Sequence, residues 1–358
     1  GGAGGGGGGG RGGRGSGVGA GGGGGLDVWA GTSGGGVRCW GGNADGELGI
    51  GTTAALSLVP VDVVFVERTR IAGADRYATA VAISRSAFQS QNPGDQFSVV
   101  AASGTNFPDA LAAGPVAAAL GSPLLLVPTA GVLPSTLSTE LTRLNPWKVN
   151  IAGGTGAVSS QVESQIKVFG AGAVYRSAGQ DRYATAALLA ALTGHLGNTV
   201  FIATGASFPD ALGGSAAAGR YNGALMLTGR LALPQATASA LTSGKPPRVV
   251  VLGGAAVVDD AVLAQIRRLL PGAIVDRWAG SDRFATAVAI SLNTYPNGAG
   301  TAYLASAADY PDALAGAPVP ANAGAPFLLP RADCVPASTL TQLVRLPHAT
   351  FTVLVVPE

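Results

Sequence analysis

From about residue 68 onward, apolar and polar positions follow two alternating rhythms. After Asp75, the residues Tyr77, Val81, Ser84 and Phe88 recur at helical spacing and share one face. The same places later hold Tyr183, Ala187, Ala190 and Gly194, then Phe284, Val288, Ser291 and Tyr295. An unbroken apolar run follows each helix, such as "SVVAAS" at 98–103, and predicts a strand buried on both faces. Pro108, Pro209 and Pro311 stand where the first residue of a second helix belongs, because that position needs no N–H donor. Asp109, Asp210 and Asp312 fall in its first turn, where a carboxylate meets the positive helix end. Pro134, Pro234 and Pro336 open a third helix, and Ser159 and Asp259 can cap a fourth. Strand and helix thus alternate four times in roughly a hundred residues, which predicts an α/β unit with a parallel sheet.

The unit is repeated. "AGADRYATA" at 72–80 returns as "AGQDRYATA" at 178–186 and "AGSDRFATA" at 279–287. "FPDALAAG" at 107–114 returns as "FPDALGGS" at 208–215 and "YPDALAGA" at 310–317. Short apolar runs ("SPLLLVP", "ALMLTG", "APFLLP") and an L-P or V-P helix follow in each copy. "VNIAGGTGAVSSQV" at 149–162 matches "VVVLGGAAVVDDAV" at 249–262. The third copy reaches "FTVLVVPE" and stops before a Gly pair. The reading is three tandem units at 68–172, 173–273 and 274–358, the last truncated and lacking its final helix.

Composition narrows the function. Much of the chain's 57 glycines lies in residues 1–25, a segment that cannot bury a core and is expected to be a disordered tail. The net charge is +2 with 12% charged residues, too few for the dense basic patch that nucleic acid requires. Lysine occurs at Lys148, Lys167 and Lys245, so nearly all positive charge is arginine, whose planar fork grips carboxylates and phosphates. Cys39 and Cys334, with His195 and His348, match no zinc spacing, so no metal or cofactor is implied. Two histidines also leave no Ser/His/Asp set. The apolar run 110–128 is cut by Gly114, Pro115, Gly121 and Pro123, so it reads as a buried helix and strand rather than a membrane span.

The Asp-Arg-aromatic core admits three roles. Asp75, Asp181 and Asp282 can cap the helices they open, Tyr77, Tyr183 and Phe284 begin the apolar faces, and Thr79 can bond backward within the first turns. Arg76 would then pair with a carboxylate of its own unit, Asp109 being the obvious candidate. Alternatively Arg76, Arg182 and Arg283, with the aromatic-Pro-Asp turns, present one chemical grip three times, which suits a repeating polymer. Catalysis by paired carboxylates and Arg fits less well, because one chain rarely triples an active site. Gly153-Gly154 and Gly253-Gly254 follow strands and precede helices, but no full G-x-G-x-x-G is present, so a tight turn is favoured over a phosphate cradle.

Together these motifs resemble the cell-wall-binding type 2 repeat of Gram-positive surface-layer and autolysin proteins. The matching signature runs R-x-AG-x-DRYATA, S/T-G-x-x-FPDALA, a PLLL-type run, an L-P helix and I-x-GG-x-x-A-V-S, over residues 68–358. The resemblance implies three Rossmann- or toprim-like units packed as a pseudo-threefold triangle within one monomer. It also implies export, a place in the cell wall or at the cell surface, and non-covalent anchoring to an anionic wall polymer or peptidoglycan-associated glycan. It implies no enzyme chemistry in the repeats; attached domains do such work in some relatives. The third copy departs from the pattern with "SAADYPDALAG". Polymer contact is expected at Arg76, Arg182 and Arg283, with Asp109, Asp210 and Asp312 positioning loops.

A second resemblance covers 26–63, where "TSGGGVRCWGGNADGELGIGTT" at 32–53 is similar to one blade of the regulator-of-chromosome-condensation propeller family. One copy cannot close a propeller. Residues 26–66 are therefore read as a partial blade of a longer propeller. Two rival readings follow: the targeting part of a wall hydrolase whose catalytic domain lies elsewhere, and a propeller-based interaction scaffold.

Overall fold

The computed structural model describes residues 19–20, 28–31, 37–42, 56–62, 68–88, 97–169, 172–306, 310–331, 335–346 and 350–354. The chain divides into two compact units, 1–64 and 65–358.

In the first unit, Gly19–Ala20, Val28–Gly31, Val37–Gly42 and Leu56–Asp62 form a four-stranded sheet in that order. All its pairings are antiparallel, with an irregularity between Cys39 and Gly41. Gly19 and Ala20 pair with Trp29 and Val28, inside the segment expected to be a tail; the rest of 1–25 lies outside the described residues.

The second unit holds three four-stranded sheets, every pairing parallel. In the first sheet the order is Leu124–Val127, Ser98–Ser103, Lys148–Ala152 and Ala173–Ser177. The second repeats it with Ala224–Thr228, Thr199–Thr204, Arg248–Leu252 and Ile274–Trp278. The two inner strands and Leu124–Val127 are buried along almost their whole length, as the unbroken apolar runs predict. Helices cover both faces. Among them Phe107–Ala119 and strand Leu124–Val127 divide the apolar run 110–128 as expected. Among the described residues, no helix is long and apolar enough to cross a membrane.

The sequence repeat and the sheet are offset by one strand. Ala173–Ser177 opens the second repeat but lies at the edge of the first sheet, and Ile274–Trp278 does the same for the second. The third sheet contains Phe327–Leu328, Thr301–Ala305 and Thr350–Leu354. Its fourth strand is Arg68–Ile71, from the start of the first repeat, with Arg68 opposite Phe351 and Ile71 opposite Leu354. The fourth strand of the third sheet is thus supplied by the segment that opens the first repeat, and the three units close into a ring.

The helices that begin at the Pro-Asp turns meet at the centre of this ring. They are Phe107–Ala119, Pro209–Arg220, and a third broken into Pro311–Gly316 and Pro318–Ala323. Small residues let them approach. A Cβ on Gly114 would lie 3.1 Å from that of Ala317 and 3.3 Å from Ser215 Oγ. One turn on, a Cβ on Gly219 would lie 2.4 Å from that of Ala321. Pro115 cannot donate to the Leu111 carbonyl; the Ser215 hydroxyl of the neighbouring helix, whose nearer acceptor is the Ala211 carbonyl at 3.0 Å, lies 3.4 Å from it. The chain's repetition is therefore a pseudo-threefold arrangement of α/β units around shared small-residue packing.

Candidate functional site

Asp75, Asp181 and Asp282 have extended backbones, and each carboxylate accepts the N–H three residues on, at 2.7, 2.8 and 2.7 Å. They are N-caps, as the sequence predicts. Thr79 acts differently from the expectation, and Thr185 and Thr286 follow it. Their hydroxyls accept the N–H of Gly73, Gly179 and Gly280, so they bind the incoming loop rather than the helix. Those glycines lie against the first turn: a Cβ on Gly73 would be 2.2 Å from the Ala78 carbonyl carbon. Alanine-Gly-x-Asp-Arg is thus a loop folded tightly onto the helix it starts.

That loop aims the arginines. Arg76 donates Nη1 to the Gly104 carbonyl at 2.6 Å, and Arg182 does the same to Gly205. Each arginine therefore spans from its helix to the carboxyl end of the central strand of its own unit. Its charge reaches a different unit. Arg182 of the second unit acts on Asp109 of the first, and Arg283 of the third acts on Asp210 of the second. The guanidinium of Arg76 stands over the ring of Tyr310 in the third unit, 5.9 Å from its centroid. Pairing of Arg76 with Asp109 inside one unit, the obvious reading of the sequence, is replaced by contacts across unit boundaries, because the Pro-Asp helix of each unit leans on the Asp-Arg helix of the next.

The aspartates are set deep. Asp210 is 6% exposed and Asp109 is half-buried. Burial raises the Asp109 carboxyl above its ordinary range, against the opposing pull of Arg182 and of a hydrogen bond from Thr185. Burial pushes Asp210 up to about 6, with Arg283 opposing it. Each carboxylate also covers a Gly-Gly turn. Gly153 and Gly253 have φ of +102° and +93°, and a Cβ there would lie 2.3 Å from Asp109 Oδ2 and 2.4 Å from Asp210 Oδ2. The space directly above these turns thus holds a carboxylate. The turns are tight strand-to-helix connections.

Arg176 and Arg277, the first arginines of the R-x-AG motif, fasten the same turns. Arg176 donates to the Gly153 carbonyl at 2.8 Å and to Glu163 at 2.7 Å. Arg277 bonds the Gly253 and Val258 carbonyls and Asp260. Their signal in the sequence was their recurrence two residues before each Ala-Gly pair. Asp312 lies in the first turn of Pro311–Gly316. The sequence departure "AAD" at 307–309 lies outside the described residues.

At the centre, Phe107, Phe208 and Tyr310, one per unit, contact each other. Their centroids are 6.0, 5.6 and 5.7 Å apart, and their planes are inclined by 60–64°. Tyr310 donates its hydroxyl to the Thr105 carbonyl of the first unit at 2.8 Å. The structure thus gathers the aromatic-Pro-Asp turns of all three units around one axis, with an arginine of the next unit at the described junctions. Among the described residues, no three His, Cys, Asp or Glu side chains cluster as metal ligands do.

The pattern that defines the family described as cell wall binding domain 2 matches residues 70–163, 176–263 and 277–356. The chain belongs to that family. Each matched segment falls within one repeat, and the family is described as one that binds the cell wall. The chain is 28% identical over 295 residues to an amidase enhancer of Bacillus subtilis, covering 81% of this chain and 39% of that protein. It is 31% identical over 255 residues to the N-acetylmuramoyl-L-alanine amidase LytC of the same organism, covering 71% of this chain and 48% of the enzyme. It therefore spans less than half the length of these relatives. Among solved structures, Cwp6 from Clostridium difficile superposes with a TM-score of 0.74 at 24% identity, covering 92% of this chain and 55% of that one. Cwp8 from the same organism gives 0.72 at 23% identity, covering 90% and 56%. These two establish a shared fold. The propeller resemblance of residues 26–63 finds no support in these comparisons, and the family match begins after that segment.

Proposed function

We propose that the three-unit ring holds an exported protein to the cell wall without a covalent bond, by gripping an anionic wall polymer or glycan at the junctions between units. The observation that carries this reading is the placing of Arg182 and Arg283, both exposed, beside the aspartate-bearing turn of the preceding unit. One grip recurs around a ring, and linked weak sites hold a repeating polymer more firmly than any one alone. Arg76, Arg182 and Arg283 would bind the polymer's phosphate or carboxylate groups. Asp109, Asp210 and Asp312 would hold the turns in place. The ring works as a single chain and carries no reaction of its own.

A pull-down with purified cell walls tests this, with and without extraction of the anionic polymer. Retention should fall sharply after extraction, and indifference to extraction sinks the polymer reading. Arg76→Ala, Arg182→Ala and Arg283→Ala together should weaken retention at least about tenfold while the fold persists.

A second reading draws on the relatives, one an amidase and one an amidase enhancer. In it the ring delivers a wall hydrolase, carried on a domain outside this sequence, to its substrate. Both readings share the same wall-facing surface. Release of muropeptides from walls by this chain would show that it has an activity of its own.

A further inference from the structure

The aromatic cluster on the axis is not needed to fill the centre of the ring. Beneath it the helices already meet through Gly114, Ser215 and Ala317, then Ala118, Gly219 and Ala321. Phe107, Phe208 and Tyr310 sit above that packing, at the carboxyl ends of the strands, and each remains partly exposed. Their rings meet edge to face or tilted, and each residue keeps part of its surface exposed. One side of the cluster is polar. Thr105 and Thr129 hydroxyls bond each other at 2.6 Å on an exposed rim, and Tyr310 is tied to Thr105. Arg76 stands over Tyr310 on the same side. The second unit has Ala206 where the first has Thr105, so the repeat does not require that hydroxyl.

A partly open aromatic surface with a few convergent hydroxyls and one cation is the make-up of a site for a ligand that is apolar on one face and polar at its edge. A pyranose has that character: C–H groups on its face, hydroxyls around its rim. We propose that Phe107, Phe208 and Tyr310, with Thr105, Thr129 and Arg76 on the rim, form a stacking site for one sugar ring of the wall polymer. This rests on the wall-polymer reading and adds to it. The junction arginines hold the charged groups, and the axial aromatics hold a sugar between them.

Salt separates the two contributions, because stacking is insensitive to ionic strength and exposed ion pairing is not. Binding of the full chain to purified Bacillus subtilis walls is measured at roughly 0.15 M and 1 M salt. Phe107→Leu and Tyr310→Leu should each weaken binding about tenfold at both salt levels, whereas Arg182→Ala and Arg283→Ala weaken it mainly at the lower one. A second measurement reads binding by the parent chain itself. The full chain is labelled with 3-fluorotyrosine, and the Tyr310 resonance is assigned by its loss in Tyr310→Phe. That resonance should shift when polymer released from the walls is added. Parent-like binding by folded leucine variants, or an unmoved Tyr310 resonance while the parent chain binds, overturns the sugar site and leaves the polymer reading intact. Failure of the parent chain to bind walls at all overturns both.

Discussion

Asp210 of the second unit is buried beside Arg283 of the third, and its carboxylate covers the Gly253 turn. The arginine's attraction is outweighed by desolvation, so the folded-state pKa rises from 3.8 to about 6. A raised carboxyl pKa means that the folded chain binds this proton more tightly than the unfolded chain does. The stability it contributes is fully present below about pH 4 and is lost as pH rises through about 6. Asp210→Asn should abolish that slope. Between pH 4 and 7 the difference in unfolding free energy between parent and variant should change by about 2 kcal/mol. Urea unfolding across that range measures it, and parallel pH profiles would refute the burial argument.

Glu140 has the opposite sign. Its side chain is fully buried, yet it receives Ser84 Oγ at 2.6 Å, Arg85 Nε at 3.0 Å and Arg143 Nη2 at 2.6 Å. Burial raises its pKa, but the three hydrogen-bonding partners together hold it below the ordinary range. Its contribution is present above the unfolded pKa and is lost as pH falls through the lower folded value. Glu140→Ala should cost about 3 kcal/mol or more at neutral pH, because it strands Arg143 beside a cavity. The third unit writes the same contact with Gln342, Ser291 and Arg345, and the second has Ala240 there. Gln342→Ala should therefore cost less than Glu140→Ala in thermal unfolding.

The latch strand Arg68–Ile71 gives a prediction about place rather than amount. Ile71→Pro removes a ladder donor opposite Leu354 and should loosen the third sheet, far away in sequence. Amide exchange of Thr350–Leu354 should accelerate, while Lys148–Ala152 of the first sheet stays protected. Faster exchange in the first sheet with the third unchanged would contradict the ring closure.

Gly179→Ala should destabilise by about 1–3 kcal/mol, since the new methyl would lie 2.4 Å from Ala184 Cβ. Asp181→Ala should cost about 1 kcal/mol through loss of its N-cap bond. The two lie in one loop, so the double variant should cost less than the sum. Full additivity in denaturant melts would separate loop from cap.

The sequence alone determined the units and their local parts. Apolar runs specified buried parallel strands, Asp-x-x and Pro-Asp patterns specified helix starts, and triplication specified that the same unit forms three times, because each rests on residues close together in the chain. Tertiary structure decided which residues of different repeats meet. That Asp109 answers to Arg182 rather than Arg76, that Arg68–Ile71 finishes the third sheet, and that Phe107, Phe208 and Tyr310 share one axis could not be read from identical motifs. Identical copies offer the same partner three times over, and the packing of the central helices together with the strands shared between neighbouring sheets fixes which copy stands next to which.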